Sequence, residues 1–97
     1  MYFKLMSKAF LVYGHYNDKS FNAAIKNTFI ETATKNGHTV DCVDLYKENF
    51  NPVFAGEKPD ETVLDHRKRI EDSDTIVLVA PIWNFRMPAI LEGWIDK

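Results

Sequence analysis

Short apolar runs alternate along the chain with longer segments in which apolar residues recur every three or four positions. The runs have the length and composition of strands, and the longer segments have the period of amphipathic helices. The predicted strands cover residues 9–13, 39–45 and 75–80. The predicted helices cover residues 20–36, 61–72 and 87–97. This alternation predicts a doubly wound α/β sheet of parallel strands joined by right-handed crossovers.

The three predicted strands differ in charge, and this difference predicts their order. The second strand carries Asp41 and Asp44, which suit a sheet edge, whereas the first and third are apolar and uncharged and suit burial on both faces. We therefore expect the order 2-1-3. In such a sheet the ligand crevice lies between the first and third strands, at their carboxyl ends.

The helices show which side chains should face the sheet. In the first helix, capped by Ser20 and ended by Asn36-Gly37, one face collects residues at helical spacing. These residues are Phe21, Ala24, Ile25, Thr28, Phe29, Thr32 and Ala33. In the second helix His66 stands among charged residues, and we expect it to be exposed.

The composition of the chain argues against several classes of protein. The chain has 97 residues, enough for one domain, and a net charge of −2 with acids and bases interspersed, which argues against a nucleic-acid partner. Cys42 is the only cysteine, so the sequence predicts no internal disulfide, no thiolate metal cluster and a reducing cytoplasm. No other set of metal ligands is evident, and no metal site is predicted. No apolar run reaches membrane-spanning length. Residues 1–7 are predicted to form a flexible extension ahead of the first strand.

The first candidate binding loop runs from Gly14 to Asn22, between the first strand and the first helix. A helix start offers free N–H groups and a positive dipole end, and His15, Ser20 and Asn22 add side-chain donors that suit a mononucleotide phosphate. The loop contains neither the glycine pattern of dinucleotide sites nor a P-loop. The alternative is a solvated turn followed by an ordinary helix cap.

The second candidate loop, residues 81–86, follows the third strand. Trp83 and Phe85, with Asn84 between them, could line a flat heteroaromatic ring. The alternative is that the two aromatic side chains pack on a partner or on the helix below. Both loops lie at the same end of neighbouring strands, which favours a ligand with a phosphate and a ring.

Five stretches of the sequence resemble one family in a consistent order from about residue 8 onward. They are Tyr13-Gly14-His15, Ser20-Phe21-Asn22-Ala23-Ala24, Asp44-Leu45-Tyr46, Asn49-Phe50-Asn51-Pro52 and residues 81–96. The chain resembles the flavodoxin-like NAD(P)H:quinone oxidoreductases and, at residues 81–85, their FMN-dependent azoreductase relatives. The expected fold is therefore a flavodoxin-like doubly wound sheet that stops after its third strand.

The resemblance implies a cofactor, a reaction and a site. The cofactor is FMN, or FAD, and NAD(P)H reduces the flavin, which then reduces a quinone or a similar acceptor in a cytoplasmic homodimer. The implied flavin-binding residues are His15, Ser20, Phe21, Asn22, Pro81, Ile82, Trp83, Asn84 and Phe85. No residue of the chain is assigned a catalytic role.

The length of the chain leaves alternatives open. Family members are about twice as long, so two further strands and a third flavin loop are expected beyond Lys97. A non-catalytic half-domain that acts as an interaction module, a flavodoxin-type electron carrier and a regulatory subunit of a transporter are the other possibilities. If the third strand has no neighbour on its far side, we expect its flat apolar edge to make the chain associate.

Overall fold

The computed structural model describes residues 7–82 and 86–97, and within them the strands and helices alternate as the sequence predicts. The strands are β1 (Lys8–Tyr13), β2 (Thr39–Asp44) and β3 (Thr75–Val79). The helices are α1 (Phe21–Lys35), α2 (Glu61–Glu71) and α3 (Ala89–Asp96). The predicted extension, apart from Ser7, lies outside the described residues, as do Trp83, Asn84 and Phe85.

The strands form one parallel sheet in the order β2-β1-β3, which confirms the predicted order. In the register of this sheet, Tyr13 lies beside Asp44 on one side and beside Val79 on the other. The carboxyl ends of the three strands are therefore level, and the loops that leave β1 and β3 start side by side.

Alternate side chains of β1 enter two separate cores on opposite faces of the sheet. Phe10 and Val12 belong to the larger core, which α2 and α3 cover with residues such as Val63 and Leu91. Leu11 and Tyr13 belong to the smaller core on the α1 face. The period-2 geometry of a strand explains this division, and complete burial of residues 10–13 on both faces explains why that part of β1 is apolar.

The face of α1 that packs on the sheet is not the predicted one, because the helix is rotated about its axis relative to the prediction. Phe21 is 79% exposed and Ile25 is 44% exposed, whereas Ala23 is buried and packs on Leu11 and Tyr13. Small residues allow α1 to approach the sheet closely, so Ala23 contacts the sheet while the larger Phe21 points away from it.

The predicted exposure of His66 is also wrong, because its side chain is 2% exposed. The indole N–H of Trp94 donates to Nδ1 of His66 at 3.0 Å, so the neutral ring carries its hydrogen on Nε2, which lies 3.2 Å from a carboxylate oxygen of Glu48. The imidazole of His66 stacks on the ring of Phe50, with centroids 6.0 Å apart. These partners are distant in sequence, so the charged neighbours of His66 on its own helix did not indicate that its side chain is buried.

The third strand is not buried on both faces as its composition predicts. Ile76 is 49% exposed and Leu78 is 42% exposed, because β3 forms an edge of the sheet in the part of the chain that the structure describes. In that same part, no helix is both long enough and apolar enough to cross a bilayer.

Candidate functional site

The two candidate loops begin in direct contact at the carboxyl ends of β1 and β3. The N–H of Gly14 donates to the carbonyl oxygen of Val79 at 2.9 Å. A Cβ placed on Gly14 would lie 3.7 Å from the Cβ of Ala80 and 3.4 Å from that of Leu91. Both are ordinary van der Waals distances, so the hydrogen bond from Gly14 to Val79, and not the lack of a side chain, keeps the starts of the two loops together.

The start of α1 is organised around Ser20. Its Oγ accepts a hydrogen bond from the N–H of Ala23 at 3.1 Å, which confirms Ser20 as the N-cap. The next two N–H groups, of Phe21 and Asn22, precede the first intrahelical hydrogen bond and point out of the helix end. The first turn of α1 contains no acidic residue, so its positive dipole end is not neutralised from within the helix.

Hydrogen bonds around Asn17 shape the rest of the first loop. Nδ1 of His15 accepts from the N–H of Asn17 at 2.9 Å, and Oδ1 of Asn17 accepts from the N–H of Lys19 at 2.9 Å. Because Nδ1 of His15 is an acceptor, the neutral imidazole carries its hydrogen on Nε2. The imidazole also stacks on the ring of Tyr16, with centroids 4.6 Å apart. His15 is thus held in one orientation and one tautomer.

Tyr13, the last residue of β1, contacts this loop through its hydroxyl. It is not among the site residues predicted from the sequence. Its hydroxyl donates to the carbonyl oxygen of Asn17 at 2.9 Å and lies 3.0 Å from Oγ of Ser20. The signal in the sequence was a tyrosine at the end of a buried strand, since a buried phenol normally has a hydrogen-bond partner.

The second loop is described only at its two ends. Pro81 is half-buried and Ile82 is 67% exposed just beyond β3. Trp83, Asn84 and Phe85, which were expected to line a ring, lie outside the described residues. After the loop, Arg86 pairs with Glu92 at 3.3 Å, and the buried Pro88 is the N-cap of α3.

These contacts leave uncharged hydrogen-bond donors at the start of α1. The structure places His15 and Ser20 in the loop after β1 and Phe21 and Asn22 in the first turn of α1, with Pro81 and Ile82 at the end of the adjacent strand. Hydroxyl, imidazole and backbone N–H groups suit a phosphate. Across residues 7–82 and 86–97, no group of three or more His, Cys, Asp or Glu residues could hold a metal ion.

Comparisons with known proteins agree with this architecture. The chain is 30% identical to the ribosyldihydronicotinamide dehydrogenase [quinone] of Mus musculus, over 93% of this chain and 50% of that protein. It is 34% identical to an uncharacterized NAD(P)H oxidoreductase of Escherichia coli, over 93% of this chain and 51% of that protein. The chain thus spans about half the length of the curated relatives it matches.

A solved structure shows the same fold. The NAD(P)H:quinone oxidoreductase from Methanothermobacter marburgensis superposes with a TM-score of 0.86 at 28% identity, over 94% of this chain and 52% of that one. A family model described as flavodoxin-like fold matches residues 7–97. With the strand order 2-1-3 and paired loops at the carboxyl edge, this match shows that the chain belongs to the flavodoxin-like fold family.

Proposed function

We propose that this chain forms the flavin-phosphate part of an NAD(P)H:quinone oxidoreductase. The observation that carries the proposal is the junction of the two loops, where the N–H of Gly14 bonds to Val79 and places the donor-rich start of α1 beside the end of β3. The relatives named above as NAD(P)H and quinone oxidoreductases share this half of the fold.

The residues of the first loop fit a phosphate monoester. Ser20 and the N–H groups of Phe21 and Asn22 would bind its oxygens, and Nε2–H of His15 would supply another donor. The exposed face of Phe21 and the apolar side chains of Pro81 and Ile82 would contact the rest of the cofactor. Trp83, Asn84 and Phe85 complete the proposed set at the ring.

The cofactor proposed is FMN, with FAD as the other choice. Bound flavin would supply hydride chemistry, accepting a hydride from NAD(P)H and reducing a quinone. The protein's own contribution is to bind and orient the cofactor: the first loop holds the phosphate end, and the residues after β3 hold the ring end. A single cysteine and the absence of disulfides favour a reducing cytoplasm for this chemistry.

Flavin titration of the purified full chain tests the proposal. FMN should bind, its fluorescence should be quenched, and riboflavin, which lacks the phosphate, should bind more weakly. Replacing Ser20 and Asn22 together with alanine should weaken FMN binding by more than tenfold, because each hydrogen bond to a charged phosphate contributes about 1.5–3 kcal/mol. NADPH oxidation with a quinone as acceptor then tests turnover separately.

A control on the same helix shows whether removing polar side chains from α1 is enough in itself to change FMN affinity. Asn27→Ala with Thr28→Ala removes two exposed polar side chains of α1 away from the loop and should leave FMN affinity unchanged. If the Ser20 and Asn22 double variant binds FMN as tightly as the original protein, the first loop is only a helix cap. Absence of any flavin binding or NADPH oxidation would remove the enzyme assignment from this chain.

For a protein made of residues 1–97 alone, we also propose a homo-oligomer, most simply a dimer. Ile76 and Leu78 present exposed apolar surface on an edge strand that has no charged residue between Thr75 and Val79. Such an edge favours pairing with a second copy of the chain, which would continue or cover the sheet.

A further inference from the structure

Tyr13 stands out among the residues around the phosphate loop because it is completely buried and yet makes two polar contacts with that loop. Its side chain has 0% exposure, and its ring lies in the core between β1 and α1 with Leu11, Ala23 and Val79. Nζ of Lys26 sits 4.5 Å above the ring centroid. The phenol ring is therefore fixed by packing, and its hydroxyl is a fixed point at the carboxyl end of β1.

Counting hydrogens settles the direction of the two bonds that the hydroxyl makes. Tyr13 has a single O–H hydrogen, and the carbonyl oxygen of Asn17, 2.9 Å away, can only accept it. The contact of 3.0 Å with Ser20 must therefore run the other way, with the hydroxyl of Ser20 donating to the oxygen of Tyr13. Oγ of Ser20 accepts at the same time from the N–H of Ala23.

These bonds tie both ends of the loop segment 17–20 to the sheet. Two further side-chain bonds, from the N–H of Asn17 to His15 and from the N–H of Lys19 to Asn17, join residues within the loop. Tyr13 instead connects the loop to the buried strand β1. Groups that bind a ligand are most accurately placed when they are supported by a rigid element.

We propose that Tyr13 is a positioning residue of the flavin-phosphate site, holding the carbonyl of Asn17 and the hydroxyl of Ser20 so that the loop is preformed for a phosphate. The inference rests on the proposed function of the loop. When a phosphate oxygen arrives, the hydroxyl hydrogen of Ser20 turns from Tyr13 to the ligand. Tyr13 then still holds Asn17, and the loop does not have to reorganise.

The test is Tyr13→Phe, which keeps the ring, its packing and its contact with Lys26 and removes only the hydroxyl. We expect FMN to bind about two- to tenfold more weakly, the effect of one or two uncharged hydrogen bonds, and riboflavin to bind as before. The ratio of the two dissociation constants is the readout, because a general loss of stability would weaken both ligands. In the ligand-free protein, amide hydrogen exchange at residues 17–22 should become faster.

Ser73→Ala is the matched control. The hydroxyl of Ser73 donates to the carbonyl of Arg69 at 2.8 Å after α2, at the other end of the sheet, so this variant also loses one hydroxyl-to-carbonyl bond. It should lower the stability to unfolding by a similar amount and leave the FMN-to-riboflavin ratio unchanged.

A double-mutant cycle with Ser20→Ala tests whether Tyr13 acts through Ser20. In the Ser20→Ala background, Tyr13→Phe should weaken FMN binding less than it does in the original protein. If Tyr13→Phe leaves both the ratio and the hydrogen exchange of residues 17–22 unchanged while the original protein prefers FMN, the role of Tyr13 is overturned and the proposed function stands. If the original protein shows no preference for FMN over riboflavin, the proposed function fails and this inference fails with it.

Discussion

The two edges of the described sheet are built in opposite ways. On the β2 edge, Asp41 accepts two hydrogen bonds from the guanidinium of Arg69, at 2.8 and 2.5 Å, and Asp44 caps the turn that follows the strand. On the β3 edge, no residue between Thr75 and Val79 is charged, and Ile76 and Leu78 are about half exposed. One edge is protected by charge, and the other is apolar and open.

This difference indicates that the β3 edge, and not the β2 edge, is suited to pairing with a further strand. Charged residues on an edge strand discourage pairing with another chain, whereas a flat apolar edge without proline or charge favours it. The doubly wound order 2-1-3-4-5 also continues beyond the third strand and not beyond the second. For a protein made of residues 1–97 alone, we propose that a second copy takes the place of that next strand at the β3 edge.

The largest expected effect comes from giving the β3 edge the character of the β2 edge. Replacing Ile76 and Leu78 together with lysine should raise the dissociation constant of the oligomer by about 10- to 100-fold. Complete burial of an apolar side chain contributes about 1.5–3 kcal/mol, and only the exposed half of each of these two side chains remains to be buried on association. Sedimentation velocity across a concentration series measures this change.

The matched control places two lysines on the other edge. Thr39 and Cys42 are exposed on β2, and replacing both with lysine should leave the association unchanged. If the original protein sediments as a monomer of about 11 kDa at high concentration and unfolds cooperatively, the β3 edge does not mediate self-association.

The sequence predicted the arrangement of the backbone better than it predicted which side chains are covered. Strand order followed from Asp41 and Asp44, because the free energy of burying a charge depends directly on where a strand lies in the sheet. The caps of α1 at Ser20 and Asn36 followed from local hydrogen-bond chemistry. These features depend on neighbours in the sequence, so a single sequence contains them.

Burial within helices depends on partners from elsewhere in the chain, and there the predictions failed. His66 is buried because Trp94, Glu48 and Phe50 meet around it, and no local pattern indicates that meeting. Phe21 has a large apolar side chain, as core residues do, yet it is exposed at the candidate site. The role of Tyr13 likewise depends on a fold in which its hydroxyl reaches the loop that follows β1.

The second expected effect concerns the ion pair on the β2 edge. The hydrogen bond from Arg69 holds the pKa of Asp41 below its ordinary value of 3.8, although partial burial acts in the opposite direction. Asp41→Asn should lower the free energy of unfolding at pH 7 by about 1.5–3 kcal/mol, the contribution of a hydrogen bond between charged groups. Urea denaturation of both proteins measures this difference.

The pH dependence of this difference has a definite sign. Because the pKa of Asp41 is lower in the folded state, its stabilisation is complete above the unfolded value of 3.8 and is lost as the pH falls through the folded value. The two proteins should therefore differ by a constant amount from pH 7 down to about 5 and converge below 3.8. Asp65→Asn removes the more exposed partner of the same arginine and should cost less than about 1 kcal/mol. A larger loss from Asp65→Asn than from Asp41→Asn would show that the β2 edge is not held by the Asp41 pair.

The smallest expected effect is at Cys42, which lies on β2 beside Leu11 but is exposed. If the β2 edge is stabilised by the ion pair of Asp41 and not by the packing of its exposed side chains, Cys42→Ser should change the free energy of unfolding by less than about 0.5 kcal/mol. The contrast is Val43→Thr at the next position, where a buried methyl is replaced by a hydroxyl without a partner and the cost should reach about 1–3 kcal/mol. Urea denaturation of the two variants under one condition gives the comparison. A loss above 1 kcal/mol from Cys42→Ser would mean that the side chain of Cys42 contributes to packing as the buried Val43 does. The two edges of the sheet would then differ in charge alone.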